Sequence, residues 1–365
     1  MLYYFPLEPY KERYTMQLSR ENDGWIERVL NNKNIPYVRI NGGSISDEIK
    51  NGSVLDACGR GFWSSMQIAF FLRLMNEGQI KDNDILYFDD FFTPGIEAIA
   101  YAAHLMDIEL KMYAMLHAQS VDIFDFTYPM RSWMRPLEQS YGKIFDGIFV
   151  TSTELKDLCV MNGIGTDRTV HITGLPYQSE EVKTHFPSEL PKKKRQVIFT
   201  SRWDKEKDPN FFLEVVSYIQ QNYSDPPNFL ITTSSKKAPT IPYYLKDYIT
   251  VKSDLTKEEY YFNLLESKIQ FNCADQDWVS WTLLEAATCN CRPVYPFFRS
   301  FPEVLFHEHL YVKNNIRSAA EMIMRYIDEI PRKWDFIYKP FDSSFERCLS
   351  IMYNEKIVYP LVLNK

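Results

Sequence analysis

The residues best placed to do chemistry lie in the second half of this 365-residue chain. The run Phe199-Thr-Ser-Arg202-Trp-Asp-Lys-Glu-Lys207-Asp-Pro209 follows a short apolar stretch, Gln196–Thr200, that reads as a buried strand, and precedes a helical pattern over Asn210–Asn222. A strand that delivers Arg202, with Lys207 just before the helix, sets two cations and the free N–H groups of a helix start at one strand end. Such an arrangement binds anions. A diphosphate leaving group needs one, because charge builds on its oxygens as the bond to it breaks. Taken alone, this Arg and Lys also describe an ordinary solvated loop.

A second run lies downstream: Asn272-Cys-Ala-Asp-Gln-Asp277-Trp-Val-Ser280-Trp-Thr282-Leu-Leu-Glu285. Asp277 and Glu285 flank a predicted strand-to-helix turn. The segment opens a helix at Ser280, so free N–H groups around Ser280 and Thr282 can face a phosphate. Asp277 can accept from sugar hydroxyls, and Glu285 from a ribose, as an acidic residue does in dinucleotide-binding folds.

In order and spacing, these two runs resemble the nucleotide-sugar-binding domain of retaining GT-B glycosyltransferases similar to glycosyltransferase family 4. There an R-x4-K motif follows the first strand of the second domain and an E-x7-E motif comes later. The resemblance covers residues 196–300. It implies a diphosphate role for Arg202 and Lys207 and a ribose role for Glu285. Asp277 stands where the family usually has the first Glu, and a shorter acid reaches less far toward the sugar. The stretch Ser253-Asp-Leu255-Thr-Lys-Glu-Glu-Tyr260 looks like the family's loop beneath the nucleotide base, which places Ser253 and Leu255 in the donor site.

The first half carries the acceptor side. His117 follows a predicted strand ending at Met115, where retaining GT-B enzymes often have a His against the donor sugar. Asp89 and Asp90 end another predicted strand, as carboxylates that could bind an acceptor, take its proton, or simply cap the next helix. The run Asp122–Glu138 combines Phe126 and Trp133 with Arg131 and Arg135, while Arg60 and Trp63 form a second such place and Arg13 belongs to a third. Rings beside guanidinium groups suit stacking on bases and clamping phosphates. They equally suit amphipathic packing with snorkelling arginines. The N-terminal Tyr-Phe-Pro-Leu-Glu-Pro-Tyr-Lys-Glu-Arg-Tyr-Thr and the block FDFTYPMRSWMRPLE also look like phage-type glycosyltransferases that modify DNA.

Together the resemblances imply transfer from a UDP-sugar co-substrate, with retention, to a 5-hydroxymethylpyrimidine such as hydroxymethylcytosine in double-stranded DNA. The base would have to be flipped from the stack to be reached. Arg202, Lys207, His117 and Asp90 are the catalytic candidates, Asp89 or Asp90 serving as general base if the reaction instead inverts. No cofactor or essential metal is expected. A glycosyltransferase of surface or lipid-linked glycans, or a non-catalytic protein that kept the fold, are the alternatives.

The elements that must hold these residues follow from the hydropathy pattern. Short apolar runs alternate with helical ones, which argues for βαβ units and parallel sheets. The expected fold class is α/β, GT-B, with two Rossmann-like doubly wound domains facing across a cleft. The expected division is an acceptor domain over 1–175, a linker over 176–195, a nucleotide-sugar domain over 196–334 and a helical tail over 335–365 that packs back toward the first domain. A strand is expected at Ser53–Asp56 and a last helical region from Asp335 to Ile351, broken near Pro340.

Bulk properties narrow the field further. Lys and Arg number 41 against 48 Asp and Glu, a formal charge of −7. That disfavours a protein held to nucleic acid by a broad basic surface and leaves a local groove open. Aromatic residues make up 15% of the chain, enough for a large core with rings to spare. None of the six cysteines forms a C-x-x-C pair, so buried thiols in a reducing compartment are expected. The N-terminus has Pro and Glu where a signal peptide needs apolar residues, and no apolar run approaches the roughly 18 residues of a membrane span. The expected setting is cytoplasmic (the host cytoplasm, if phage-encoded), with no membrane partner.

Overall fold

The computed structural model describes residues 1–11, 13–43, 57–117, 120–233, 239–355 and 361. The strand expected at Ser53–Asp56 lies outside the described residues. The chain divides into two units, Met1–Pro176 with Ser343–Leu361, and Tyr177–Asp342.

The first unit is built on a parallel sheet of β1 (Leu2–Phe5), β2 (Tyr37–Arg39), β3 (Ile85–Phe88), β4 (Lys111–Met115), β5 (Gly147–Val150) and β6 (Val170–Ile172), in the order β2-β1-β3-β4-β5-β6. Its central strands are fully buried apolar runs, such as LYYF in β1 and ILYF in β3. Strands covered on both faces need such runs. The covering helices are α1 (Tyr14–Ser19), α2 (Trp25–Asn32), α3 (Ala57–Asn76), α4 (Ile96–Leu105), α5 (Arg131–Ile144) and α6 (Thr153–Met161).

The second unit repeats the plan. After α7 (Ser179–Thr184) come β7 (Lys194–Phe199), α8 (Pro209–Asn222), β8 (Asn228–Thr233), β9 (Ile249–Ser253), α9 (Lys257–Glu266), β10 (Ser267–Phe271) and α10 (Trp281–Thr288). Then follow β11 (Arg292–Pro296), α11 (Phe301–Val304), β12 (Leu310–Tyr311), α12 (Ile316–Tyr326) and α13 (Asp335–Asp342). The parallel sheet runs β12-β11-β10-β7-β8-β9. Its core is dense in rings, with Phe199, Phe212, Phe271 and Tyr311 all buried. In this order the chain leaves β7 in one direction for β8 and β9, then returns to its other side for β10. The switch point therefore lies between β7 and β10, where a crevice opens at the strand ends. Phe199 and Phe271 end those strands in register.

The connections carry structure of their own. The segment expected as a linker contains α7, whose Ser179 donates from its N–H (2.6 Å) and its hydroxyl (2.8 Å) to the Asp342 carboxylate of α13. The charge run at Lys192–Arg195 in the same segment is bonded into the second unit. Lys193 Nζ donates to the carbonyls of Leu264 (3.0 Å), Ser267 (2.7 Å) and Cys289 (2.9 Å), at the ends of α9 and α10. Helix C-termini leave such carbonyls without partners, and a cation there also suits the helix dipole. Lys193→Met should cost about 2–3 kcal/mol of stability, the order of one lost charged donor with its carbonyls stranded. A urea-unfolding difference below about 0.5 kcal/mol would contradict this cap.

The tail breaks at Ser343, near Pro340 as expected, between α13 and α14 (Ser344–Met352). Arg347 of α14 is buried and donates to the Thr173 carbonyl from Nε (3.0 Å) and from a terminal guanidinium nitrogen (2.8 Å), joining α14 to the end of β6.

Candidate functional site

In the second unit the loops after β7 and β10 lie side by side at the switch point. The first loop makes a short helical turn at Lys205–Lys207 and passes into α8 through Asp208, which caps that helix by accepting from the Phe211 N–H at 3.3 Å. Pro209 follows at the first helical position, where its fixed φ suits the helix and its missing N–H costs nothing. The second loop is bonded onto the first. Asp275 N–H donates to the Glu206 carbonyl at 2.8 Å, and Lys207 Nζ donates to the Gln276 carbonyl at 2.6 Å.

This stitching brings Lys207 Nζ to 3.6 Å from Asp277 Oδ2. Burial pushes the Asp277 carboxyl above its usual range, while Lys207 and then Arg202 pull it back. Arg202 is paired with Asp204 at 2.9 Å and Glu206 at 2.8 Å. An incoming diphosphate would have to replace those two carboxylates. Beside them α10 begins. Ser280 is its cap, accepting from the Leu283 N–H at 3.1 Å, and its hydroxyl lies 3.1 Å from Thr282 Oγ1.

Glu285 sits one turn into α10 and is buried. Its Oε1 accepts from Lys257 Nζ at 3.2 Å and Tyr261 OH at 2.9 Å, and its Oε2 from Tyr260 OH at 3.0 Å. All three donors come from the first turns of α9. A capping box of Thr256 and Glu259 fixes that helix start. Ser253, at the exposed end of β9, and half-buried Leu255 lie on the loop leading into it.

Sequence reasoning missed part of this framework. Lys257, Tyr260 and Tyr261 stand three and four residues apart on one helix, a spacing that marks a shared face. Lys313 carried no such signal. Its Nζ donates to the Cys273 carbonyl at 2.6 Å and pairs with Asp275 at 2.8 Å, with Asp208 at 3.9 Å. It thus ties both switch-point loops together from beyond a two-residue strand. Arg299 adds a bond to the Asp275 carbonyl at 3.3 Å and covers the Trp278 ring.

In the first unit a second polar cluster forms at the ends of β1 and β3. Arg60 pairs with Glu8 at 2.7 Å and Asp90 at 3.0 Å and donates to the Phe92 carbonyl at 3.1 Å. Glu8 was not among the expected site residues. His117 Nε2 donates to the Asp89 carbonyl at 2.8 Å, which fixes the tautomer and leaves Nδ1 as the ring's acceptor. Burial holds this imidazole below its usual range, against the opposing effect of Asp90.

Several acceptor candidates change role. Trp63 is buried, its indole N–H donating to the Pro6 carbonyl at 2.9 Å, so it packs the core and offers no stacking face. Asp89 is fully buried, and its Oδ2 accepts from Tyr4 OH (2.5 Å), Ser19 OH (2.9 Å) and the Leu7 N–H (3.3 Å). Three internal donors on one enclosed carboxyl make a framework group rather than a base for an outside hydroxyl. Asp90, the other base candidate, is engaged by Arg60 and by the Phe92 N–H at 3.1 Å. Arg60 spends its guanidinium on protein carboxylates. Arg13 stands at the start of α1, half-buried. Arg135 donates to the Ser120 carbonyl at 2.9 Å. Phe126, Arg131 and Trp133 are exposed, the two rings at 45% and 54%.

Burial pushes the Asp89 carboxyl up to about 7, against the bonds from Tyr4, Ser19 and Leu7. A carboxyl raised in the folded state stabilises it most below about pH 4, and that contribution is lost as pH rises through 7. The change is of order 4 kcal/mol at most. Asp89→Asn keeps an oxygen for the three donors and cannot ionise. The variant should therefore gain stability over wild type as pH rises from 4 to 8. Parallel unfolding curves for the two proteins across that range would refute this.

Among the described residues, no group of three or more His, Cys, Asp and Glu could hold a metal ion. All six cysteines are unpaired thiols, and all but Cys58 are buried. Among the same residues, no helix is long and apolar enough to cross a membrane.

No family model matches the chain. A curated relative, the tRNA-queuosine alpha-mannosyltransferase of Drosophila melanogaster, is 27% identical over 153 residues, which is 40% of this chain and 40% of that protein's length. Solved structures show wider likeness. The apo structure of OtsA aligns with a TM-score of 0.60 at 12% identity, over 81% of this chain and 77% of its own. Sucrose-phosphate synthase from Thermosynechococcus elongatus aligns with a TM-score of 0.60 at 9% identity, over 96% of this chain and 94% of its own. A TarM mutant of S. aureus, solved with fondaparinux, alpha-GlcNAc-glycerol and UDP, aligns with a TM-score of 0.52 at 15% identity, over 79% of this chain and 58% of its own. The two parallel six-stranded sheets are those of the GT-B glycosyltransferase fold.

Proposed function

We propose that the protein is a glycosyltransferase that moves a sugar from a UDP-sugar to a hydroxyl on a modified base of a nucleic acid. The observation that carries this reading is the second unit's switch point, where Arg202, Lys207, Asp277 and the start of α10 converge. A diphosphate there would meet two cations and a helix N-terminus, the environment that stabilises a leaving diphosphate as it separates. Those protein cations supply the positive charge, so the reaction is taken to need no metal. Asp277 is assigned to the donor sugar and Glu285 to the ribose. The fold and the UDP bound by a structural relative support this assignment.

The acceptor is assigned to the first unit. We retain a 5-hydroxymethylpyrimidine in DNA, flipped out of the duplex, as the acceptor. A second reading is a queuosine-type hydroxyl in tRNA. The name of the curated relative favours it. Both acceptors are hydroxyl groups on a modified base within a polynucleotide. Retention of configuration is proposed, with diphosphate oxygen assisting deprotonation of the acceptor. This fits the engagement of both Asp89 and Asp90 within the protein.

The test is to incubate the protein with a panel of UDP-sugars and either hydroxymethylated DNA or queuosine-containing tRNA, with and without a chelator. The nucleosides are then digested and weighed. One nucleoside should gain the mass of one sugar, equally in the chelator. If no UDP-sugar is bound or hydrolysed at millimolar concentration, the reading falls. An inverted anomeric centre in the product would restore a one-step base mechanism.

A further inference from the structure

Residues 273–277, which end in Asp277, are bonded to the β7 loop along their length. The Cys273 thiol donates to the Lys207 and Asp208 carbonyls at 3.4 and 3.2 Å. Asp275 N–H donates to the Glu206 carbonyl at 2.8 Å, and the Gln276 carbonyl accepts from Lys207 Nζ at 2.6 Å.

Lys313 grips the same stretch from the connection between β12 and α12. Its own backbone is anchored on both sides. Val312 N–H donates to Ser318 Oγ at 3.0 Å, Asn315 N–H donates to the Val312 carbonyl at 3.1 Å, and Asn315 Oδ1 caps α12 by accepting from Ser318 N–H at 2.9 Å. Tyr311 OH donates to the Asn272 carbonyl at 3.0 Å, and Lys313 Nζ donates to the next one, that of Cys273, at 2.6 Å. The same ammonium pairs with Asp275 Oδ1 at 2.8 Å and stands 3.9 Å from Asp208 Oδ2. The Lys313 side chain is 11% exposed, with the Phe211 and Phe298 ring centres 6.0 and 5.8 Å from Nζ. Burial pushes the Asp208 carboxyl above its usual range. The Phe211 N–H and then Lys313 pull it back, and Asp275 opposes them. An ammonium enclosed to this degree is costly unless its acceptors stay in place.

We propose that Lys313 is a positioning residue for the diphosphate site, acting through Asp275 to set Lys207 and Asp277. This rests on the donor reading above and deepens it by naming the group that fixes its geometry. The two bonds from Lys313 bracket Ala274. The stretch cannot swing away without leaving a buried ammonium unpaired. Gln276, whose carbonyl receives Lys207, and Asp277 follow directly. A cation that meets developing charge is effective only if it is already in place, and small misplacements are expensive. Lys313 spends its donors on protein oxygens, so it serves the site by holding it and not as a third phosphate ligand. A cation near an anion site also helps through its charge alone, and the two roles predict opposite signs at Asp275. If charge alone matters, removing that acid tightens anion binding. If Lys313 positions through Asp275, removing either partner weakens it.

The test is calorimetry of UDP and of uridine, which carries the ribose and base but no phosphate. The proteins are wild type, Lys313→Met and Asp275→Ala, each shown by thermal unfolding to be folded at the assay temperature. UDP affinity should fall about ten-fold in both variants, the order of one charged hydrogen bond. Uridine should bind all three proteins alike. If Lys313→Met does not fold, the sign of the Asp275→Ala effect decides. Tighter UDP binding by Asp275→Ala overturns the positioning role, as does an equal loss of UDP and uridine affinity, which would report a general loosening of the unit. UDP bound equally by wild type and both variants overturns it and leaves the donor reading. Wild-type protein that binds no UDP overturns the donor reading itself.

Discussion

Lys207→Ala is expected to lower sugar-transfer kcat about 10²–10³-fold, the cost of removing one preorganised donor from a developing anion. The geometry makes the loss more than that of one charge. Lys207 Nζ donates to the Gln276 carbonyl at 2.6 Å and stands 3.6 Å from Asp277 Oδ2. Without it the β10 loop loses a bond to the β7 loop, and the Asp277 carboxyl rises further because a cation that pulled it down is gone. The expected signature is therefore a fall in kcat together with a rise in the pH at which activity appears. Lys207→Arg should keep part of the charge while misplacing it, since a guanidinium fork does not reproduce a compact ammonium. Steady-state kinetics with the UDP-sugar that proves active decides the matter. Near-wild-type turnover in Lys207→Ala would move the donor site elsewhere.

Glu285→Ala should have the largest effect on stability, about 3–5 kcal/mol, the usual cost of removing one partner from a buried charge pair. Lys257, Tyr260 and Tyr261 all donate to that one carboxylate. Removing it leaves a largely enclosed ammonium and two hydroxyls without their acceptor, and α9 loses its tie to α10. Glu285→Gln keeps one oxygen and should cost less. If the carboxylate also accepts from a ribose, KM for the UDP-sugar rises in both variants while the stability losses differ. Urea unfolding and donor KM measured on the same preparations separate the two roles. An alanine variant within about 1 kcal/mol of wild type would show that the cluster does not hold the helices together.

The candidate donor site was legible because its residues are local to two β-to-α turns. Arg202 and Lys207 follow one strand, Asp277 follows another, and Ser280 opens a helix. Such turns put their residues near strand ends whatever the distant chain does. That β7 and β10 are neighbours, and that their loops are bonded through Glu206, could not be read from either stretch. Glu285 shows the boundary well. Its place on α10 was legible, but its three donors belong to another helix. The first unit's candidates suffered more. Trp63 and Asp89 looked like surface chemistry because ring and carboxylate types are ambiguous. Tertiary burial made one a core ring bonded to Pro6 and the other an enclosed acceptor.

By itself, then, the sequence determined the alternation of buried strands with helices and the order of the Arg202–Lys207 and Asp277–Glu285 runs along the second half. Hydrophobic periodicity and turn chemistry are local properties. Tertiary structure alone decided which residues are enclosed, and so which charges are held by the protein and which rings face outward. Burial depends on neighbours far along the chain. Lys193 closes helices about 70 and 96 residues away, Lys313 joins loops from beyond a third strand, and Arg347 returns to Thr173. The same dependence turned Asp122, Asp125 and Glu138 inward and left Phe126, Arg131 and Trp133 at the surface.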